Sequence, residues 1–167
     1  MDDEVIITKD EYIRNLMEKY SSMLFRICYC ILCDRQDSED ALQDTFLKYL
    51  TKAPDFESHE HEKAWLIKVA TNTSKNMLVL RLRRKNLDAV ELNNIGIEDN
   101  DRFVFEAILA LPVKYKIVMT LYYVEGYKVN EISQITGVTP EAIRKRLQKG
   151  RELLKNEIER WNANDNK

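Results

Sequence analysis

The chain has 167 residues, 44% of them hydrophobic, with 4 Gly, 3 Pro and a formal net charge of −2. That length admits one domain or two small ones, and scarce Gly and Pro beside abundant Leu, Ile, Glu and Lys predict an all-α fold. No apolar run approaches the roughly 20 residues of a membrane-spanning helix, which excludes membrane insertion. The acidic start MDDEVIITKDE lacks the order of a signal peptide, so the expected location is cytoplasmic.

Five helical patterns precede the strongest motif. The first covers residues 11–32, with Ile13, Leu16, Met17, Tyr20, Leu24, Ile27 and Cys28 on one stripe. Cys28, Cys30 and Cys33 belong to it. On a helix, positions 28 and 30 project about 200° apart, so the thiols do not readily converge on a metal and are expected as small buried side chains. The second helix starts near Ser38, with Glu39 and Asp40 suiting the dipole of its first turn. Its inner face is Leu42, Thr45, Phe46, Tyr49 and Leu50, and Ala53-Pro54-Asp55 ends it. A polar loop follows to about Glu62. The third helix, 63–85, buries Trp65, Leu66, Val69, Ala70, Thr73 and Met77.

Periodicity is lost over 86–101, where Asn, Asp and Glu dominate and the reading is a flexible linker. A fourth helix is expected at 102–110. Leu111-Pro112 opens a fifth, with Ile117, Val118, Leu121 and Tyr122 facing inward, and Glu125-Gly126 turns the chain. The picture is two small helical domains, 5–85 and 102–161, on an acidic tether.

Residues 128–154 then spell a helix, a tight turn and a cation-rich second helix. Ser133 is small enough to let two helices approach, Gly137 accepts the positive φ that ends a helix, and Ile143 plugs the gap between them. Val138 fills the turn, while Thr139 and Pro140 supply an N-cap and a first-turn proline. The second helix carries Arg144, Lys145, Arg146, Lys149 and Arg151 against the one nearby acid, Glu141. This is the pattern of a recognition helix laid in a major groove. Other cations gather at Arg81, Arg83, Arg84 and Lys85, and acids at the N-terminus, 37–44 and 91–106. Local fields decide where phosphate docks, while the near-neutral total implies weak non-specific DNA binding by the chain alone.

Both halves resemble the bacterial RNA polymerase sigma factors of the extracytoplasmic-function type, which contain region 2, a linker and region 4. The run Asp37-Ser38-Glu39-Asp40-Ala41-Leu42-Gln43-Asp44-Thr45-Phe46 is similar to the family's acidic helix. The resemblance implies that Asp37, Glu39, Asp40, Gln43 and Phe46 bind the clamp of the large polymerase subunit. Trp65-Leu66-Ile67-Lys68-Val69-Ala70-Thr71-Asn72, continuing to Arg83-Arg84, resembles the promoter-melting helix. By spacing from Trp65, Phe56 and Asn72 take the positions that cup a flipped base of the minus-ten element, with Val69 on the wall. Lys75, Arg83 and Arg84 are implied as minus-ten DNA contacts. Capturing an extruded base needs an aromatic or apolar surface and an amide for its edge. Phe56 also fits a loop anchor packed on its own domain, and Asn72 a helix-surface amide. Lys52 stands beside the pocket where a smaller residue is usual.

In the second half, the family's region 4 implies that Thr139, Arg144, Lys145, Gln148 and Lys149 face the minus-thirty-five element. Arg and Lys can bond guanine O6 and N7, and Gln can read adenine. Ser133 replaces the more usual Ala, and Gly150 replaces a helix-favouring residue at about 1 kcal/mol against Ala.

The resemblance implies a non-catalytic initiation subunit with no cofactor and no resident metal. Its expected partners are core polymerase, promoter DNA and an anti-sigma factor. Two other classes stay open: a sigma-like protein that titrates an anti-sigma factor, and a redox- or metal-responsive DNA-binding regulator using the three cysteines. An operator-binding repressor would usually need a dimer, and no dimerisation segment is evident.

Overall fold

The computed structural model describes residues 8–84 and 99–165, with side chains at 8–82 and 104–163. Most of the expected linker therefore lies outside the described residues, as do Lys85 and the side chains of Arg83 and Arg84. The described chain is helical throughout, with no strand: α1 (Lys9–Leu32), α2 (Arg35–Lys52), α3 (His59–Arg84), α4 (Asp99–Leu109), α5 (Val113–Met119), a π-helical turn (Thr120–Val124), α6 (Val129–Thr136) and α7 (Pro140–Asp165).

Two helix starts differ from the sequence expectation through a cap. The Asp34 carboxylate accepts a hydrogen bond from the Asp37 backbone N–H at 2.8 Å, so α2 begins at Arg35. The hydroxyl of Ser58 accepts from the His61 N–H at 3.1 Å, and α3 begins at His59 instead of 63. Both are short side-chain oxygens that satisfy orphan amides at a helix start. α4 also opens early, at Asp99 instead of 102, and α1 at Lys9 instead of 11. At the other end of α1, Cys33 is the cap and not a helical residue: it adopts the left-handed conformation (φ 51°), and its N–H bonds to the Tyr29 carbonyl.

Helices α1, α2 and α3 pack on one another, and α5, α6 and α7 form the second cluster, with α4 beside it. The two clusters share one continuous core. Helix α1 explains how. Its N-terminal half buries only a stripe (Leu16, Tyr20, Met23, Leu24), with Met17 turned out to solvent at 41% exposure against expectation. Its last turns bury every residue from Ile27 to Leu32, because α3 covers one side and α5 and the π turn the other. A helix apolar all round must be enclosed all round. Leu50 and Tyr122, expected inward, are 47% and 39% exposed.

The seam between clusters also carries polar ties. The Arg26 guanidinium donates to both Glu125 carboxylate oxygens, at 2.8 and 3.0 Å, in a bidentate pair that is largely buried. Charge-assisted pairs of this geometry are both strong and orienting. A hydrogen bond links Cys30 Sγ and Thr120 Oγ1 at 3.1 Å. Burial pushes the Cys30 thiol up to about 12 and the Cys28 thiol up to about 11.

Within the second cluster the helix-turn-helix is built as its spacing predicts. Gly137 caps α6 at φ 70° and donates its N–H to the Ser133 carbonyl at 2.9 Å. Thr139 Oγ1 accepts from the Ala142 N–H at 3.3 Å, and Ile143 is fully buried. Gly150 has a physical reason: a Cβ there would lie 2.8 Å from Met119 Sδ and 2.9 Å from its Cγ. Helix propensity alone favours Gly150→Ala by about 1 kcal/mol, but overpacking costs about 1–3 kcal/mol. Gly150→Ala is therefore expected to lower stability by about 1 kcal/mol net, read as a fall in the urea midpoint at unchanged slope.

Candidate nucleic-acid and polymerase interfaces

The face of α7 opposite Ile143 and Leu147 presents the basic side chains. Arg144, Lys145, Gln148 and Lys149 are exposed together, with Thr139 exposed at the turn before them. The 3.6-residue period separates the two sets, since 143, 147 and 150 face the core while 144, 145 and 148 face away. Lys145 pairs with Glu141 and Lys149 with Glu152, each at 2.8 Å on the surface. The Glu152 hydrogen bond raises the Lys149 ammonium above the usual lysine value. Exposed pairs of this kind are worth little and exchange readily for phosphate. Tyr122, Arg144, Lys145, Gln148 and Arg151 line a shallow groove of about 370 Å³. Arg151 donates to the Tyr123 hydroxyl at 3.3 Å, and Tyr122 and Tyr123 meet edge to face at 4.9 Å. Arg151 follows Arg144 by two helical turns, a spacing that could have placed it on this face from sequence. The tyrosines carry no such signal, because the π turn rotates them outward.

Phe56 sits in the α2–α3 loop inside an aromatic cluster. Its ring stacks on Tyr49 (6.0 Å, 8°) and meets Trp65 and His61 edge to face at 5.8 and 5.5 Å. It lines a cleft of about 650 Å³ with Tyr12, Tyr49 and the 53–58 loop. Trp65, Val69, Asn72 and Lys75 follow one another along α3 at helical spacing, and Asn72 is exposed. Two turns separate Trp65 from Asn72, about 10 Å along the axis. Phe56 thus touches the start of this stripe, while Val69 and Asn72 lie farther along it and line neither that cleft nor the one beside Trp65. Lys75 is half-buried. Burial, and then the nearby Arg146 of α7, lower its ammonium below the usual lysine value. Cations of the two halves therefore approach each other at the seam.

Sequence reasoning missed the group that holds the loop. Glu62, expected in an acidic loop, is 3% exposed in the first turn of α3. Its carboxylate accepts hydrogen bonds from the Tyr12 hydroxyl at 2.8 Å and from the Tyr49 hydroxyl. Three helices meet on one carboxylate. Burial, reinforced by that carboxylate, pushes both phenols above their usual value.

On α2, Glu39 pairs with Arg35 at 2.9 Å, Asp40 accepts from Gln36 at 3.2 Å, and Gln43 is exposed. Asp37 pairs with Arg81 of α3 at 2.8 Å, so one acid of the run fixes the fold as well as facing out. Phe46 is 5% exposed and packs in the core; the apolar side chains α2 presents to solvent are Leu47 (58%) and Leu50. The three cysteines point to different neighbours, and among the described residues no group of three His, Cys, Asp or Glu side chains could hold a metal. No described helix is long and apolar enough to cross a membrane.

Glu62→Ala is expected to cost about 1–3 kcal/mol by stripping two phenols of their acceptor. In a double-mutant cycle with Tyr49→Phe, the pair should lose less than the sum of the single changes, measured by chemical denaturation.

Comparison with known proteins agrees with this division into halves. The family descriptions "Sigma-70 region 2" and "Sigma-70, region 4" match residues 16–86 and 104–154. The chain is 23% identical to the ECF RNA polymerase sigma factor SigW of Bacillus subtilis, over 86% of this chain and 87% of that protein. It is 28% identical to the ECF RNA polymerase sigma-E factor of Haemophilus influenzae, over 75% and 76%. Among solved structures, the fold is like that of the sigma factor RpoE in complex with the anti-sigma factor NepR from Bartonella quintana. The TM-score is 0.76 at 20% identity, covering 91% of this chain and 98% of that one. It is also like CnrH in complex with the cytosolic domain of CnrY, with a TM-score of 0.68 at 18% identity and 90% of each chain covered.

Proposed function

We infer, for a chain that belongs to the sigma-70 family in its extracytoplasmic-function branch, a division of labour between its two halves. The protein is a sigma subunit of bacterial RNA polymerase, directing the core enzyme to promoters. The observation that carries the residue-level reading is the exposed row Arg144, Lys145, Gln148 and Lys149 on a capped recognition helix.

Region 4, about residues 102–161, lays α7 in the major groove of the minus-thirty-five element. Arg144 and Gln148 read base edges, while Lys145, Lys149 and Thr139 fix the register on phosphate. Region 2, about residues 5–85, docks on the clamp of the large subunit through Glu39, Asp40 and Gln43. Leu47 supplies the apolar contact there, and Asp37 and Phe46 hold the helix in place. Phe56 of the α2–α3 loop and Asn72 of α3 hold an extruded minus-ten base from the two ends of the stripe, Val69 walls it, and Lys75, Arg83 and Arg84 bind phosphate. Stacking on an aromatic is worth about 1–3 kcal/mol per base, comparable to the few kcal/mol of unstacking. The chain itself makes and breaks no bond; nucleotidyl transfer belongs to the polymerase, and the working compartment is the cytoplasm. An anti-sigma factor is the regulatory partner, as NepR is for RpoE.

Run-off transcription with core polymerase on a genomic fragment library tests the assignment: transcripts should share two spaced upstream elements. Asn72→Ala is expected to slow promoter opening about tenfold, near 1.4 kcal/mol, with core binding unchanged; equal loss of both would refute the pocket. Arg144→Ala should cost about 1–3 kcal/mol at one base pair of the upstream element and relax specificity there, as read by competition binding across single-base variants.

A further inference from the structure

Cys33 stands apart from the other two thiols. Cys28 and Cys30 are fully buried, whereas Cys33 is half-buried at the left-handed corner between α1 and α2. The side chain of Lys116, on α5 of the other half, crosses the seam and donates to Cys33 Sγ at 3.1 Å. Lys116 is only 7% exposed, and among the described residues no carboxylate forms an ion pair with it. A buried ammonium without an anion is costly. The Cys33 sulfur is the one the Lys116 ammonium hydrogen-bonds, and unlike the buried Cys30 thiol, on which Lys116 also acts, it is within reach of solvent; the thiolate is the nucleophile.

We propose that Cys33 is an oxidation site for hydroperoxides, with Lys116 as the residue that selects it over Cys28 and Cys30. The Cys33 thiolate attacks one peroxide oxygen, an S–O bond forms and the O–O bond breaks. Sulfur loses two electrons to give a sulfenic acid, and the departing hydroxide takes a proton from solvent to become water. The ammonium donates to the sulfur before the reaction and to the sulfenate oxygen after it. The added oxygen enters a contact now 3.1 Å wide between the Lys116 side chain and the α1–α2 corner, which lengthens to admit it. That corner is otherwise held by Arg81, which donates to the Leu32 carbonyl at 2.6 Å and to Asp37 at 2.8 Å. The proposal stands on these contacts alone and does not depend on the sigma function.

The test is hydrogen peroxide treatment of the full-length protein with dimedone present, followed by peptide mass spectrometry. Cys33 should be labelled at least tenfold faster than Cys28 and Cys30. Lys116→Met should slow Cys33 labelling about tenfold, and Lys116→Arg, which keeps the cation, should restore most of it. Equal labelling of the three thiols in the wild type would overturn the proposal, as would an unchanged Cys33 rate in a folded Lys116→Met protein. Labelling of Cys28 and Cys30 reports whether that variant has unfolded. If it has, the wild-type selectivity and the Lys116→Arg rate decide instead: selectivity below threefold, or a Lys116→Arg rate no higher than that of Cys28, sinks the idea.

Discussion

The last two turns of α1 are enclosed on every side, and both halves of the molecule are built against them. Ile27, Cys28, Tyr29, Ile31 and Leu32 sit at 2% exposure or less, although one helix face can serve only one neighbour. α3 takes one side and α5 with the π turn takes the other. At about 25 cal/mol per Å² of apolar surface, such a segment contributes several kcal/mol only when both neighbours are present. The polar contacts follow the same logic. Arg26 reaches Glu125, Cys30 reaches Thr120 and Cys33 reaches Lys116. Separation of the halves would expose apolar surface and leave these groups for water to satisfy.

Charge works against the same seam. Lys75 of α3 and Arg146 of α7 are close enough for one to depress the other's affinity for a proton. Each belongs to a helix proposed to meet phosphate. In the absence of DNA the two cations repel, and a polyanion between or across them would remove the repulsion. Apolar burial and the Arg26–Glu125 pair thus hold the halves together, while the repulsion between Lys75 and Arg146 opposes them. The net charge of −2 conceals this arrangement, because acids on α2 cancel in the sum what they do not cancel in place.

How far the sequence could be read depended on how far apart the partners lie. The helix-turn-helix was legible because its parts are neighbours along the chain. Gly137 closes on Ser133 four residues back, Thr139 caps the amide of Ala142, and Ile143 falls one turn into α7. The exposed basic row on α7 was legible for the same reason. Glu62 was not: its partners stand 13 and 50 residues away, and only the folded chain brings Tyr12 and Tyr49 to it. The Ser58 cap that lifts Glu62 out of the loop was a local signal, overlooked beside the run of charged and His residues that follows it. Gly150 read as a defect because its reason, the Met119 side chain, belongs to another helix. The α2 face was half legible. Its acids lie at the surface and Phe46 points in as expected, but helical periodicity could not tell that Leu50 points out.

The wide turn at Thr120–Val124 closes with the Glu125 N–H on the Thr120 carbonyl at 3.0 Å, five residues back instead of four. Such a turn accommodates one residue more than the regular spiral, and side chains beyond it are rotated by roughly 100° from where an unbroken helix would aim them. Thr120 and Leu121 keep the phase of α5 and stay buried; Tyr122 and Tyr123 come out to the groove, and Glu125 swings back to Arg26. A single uninterrupted period could not serve all three directions. The extra residue is a vernier between two rotational settings, one dictated by the interior and one by the surface that meets the outside. A homologue that loses it must also forfeit either the salt link or the tyrosine pair, because one unbroken phase cannot aim both.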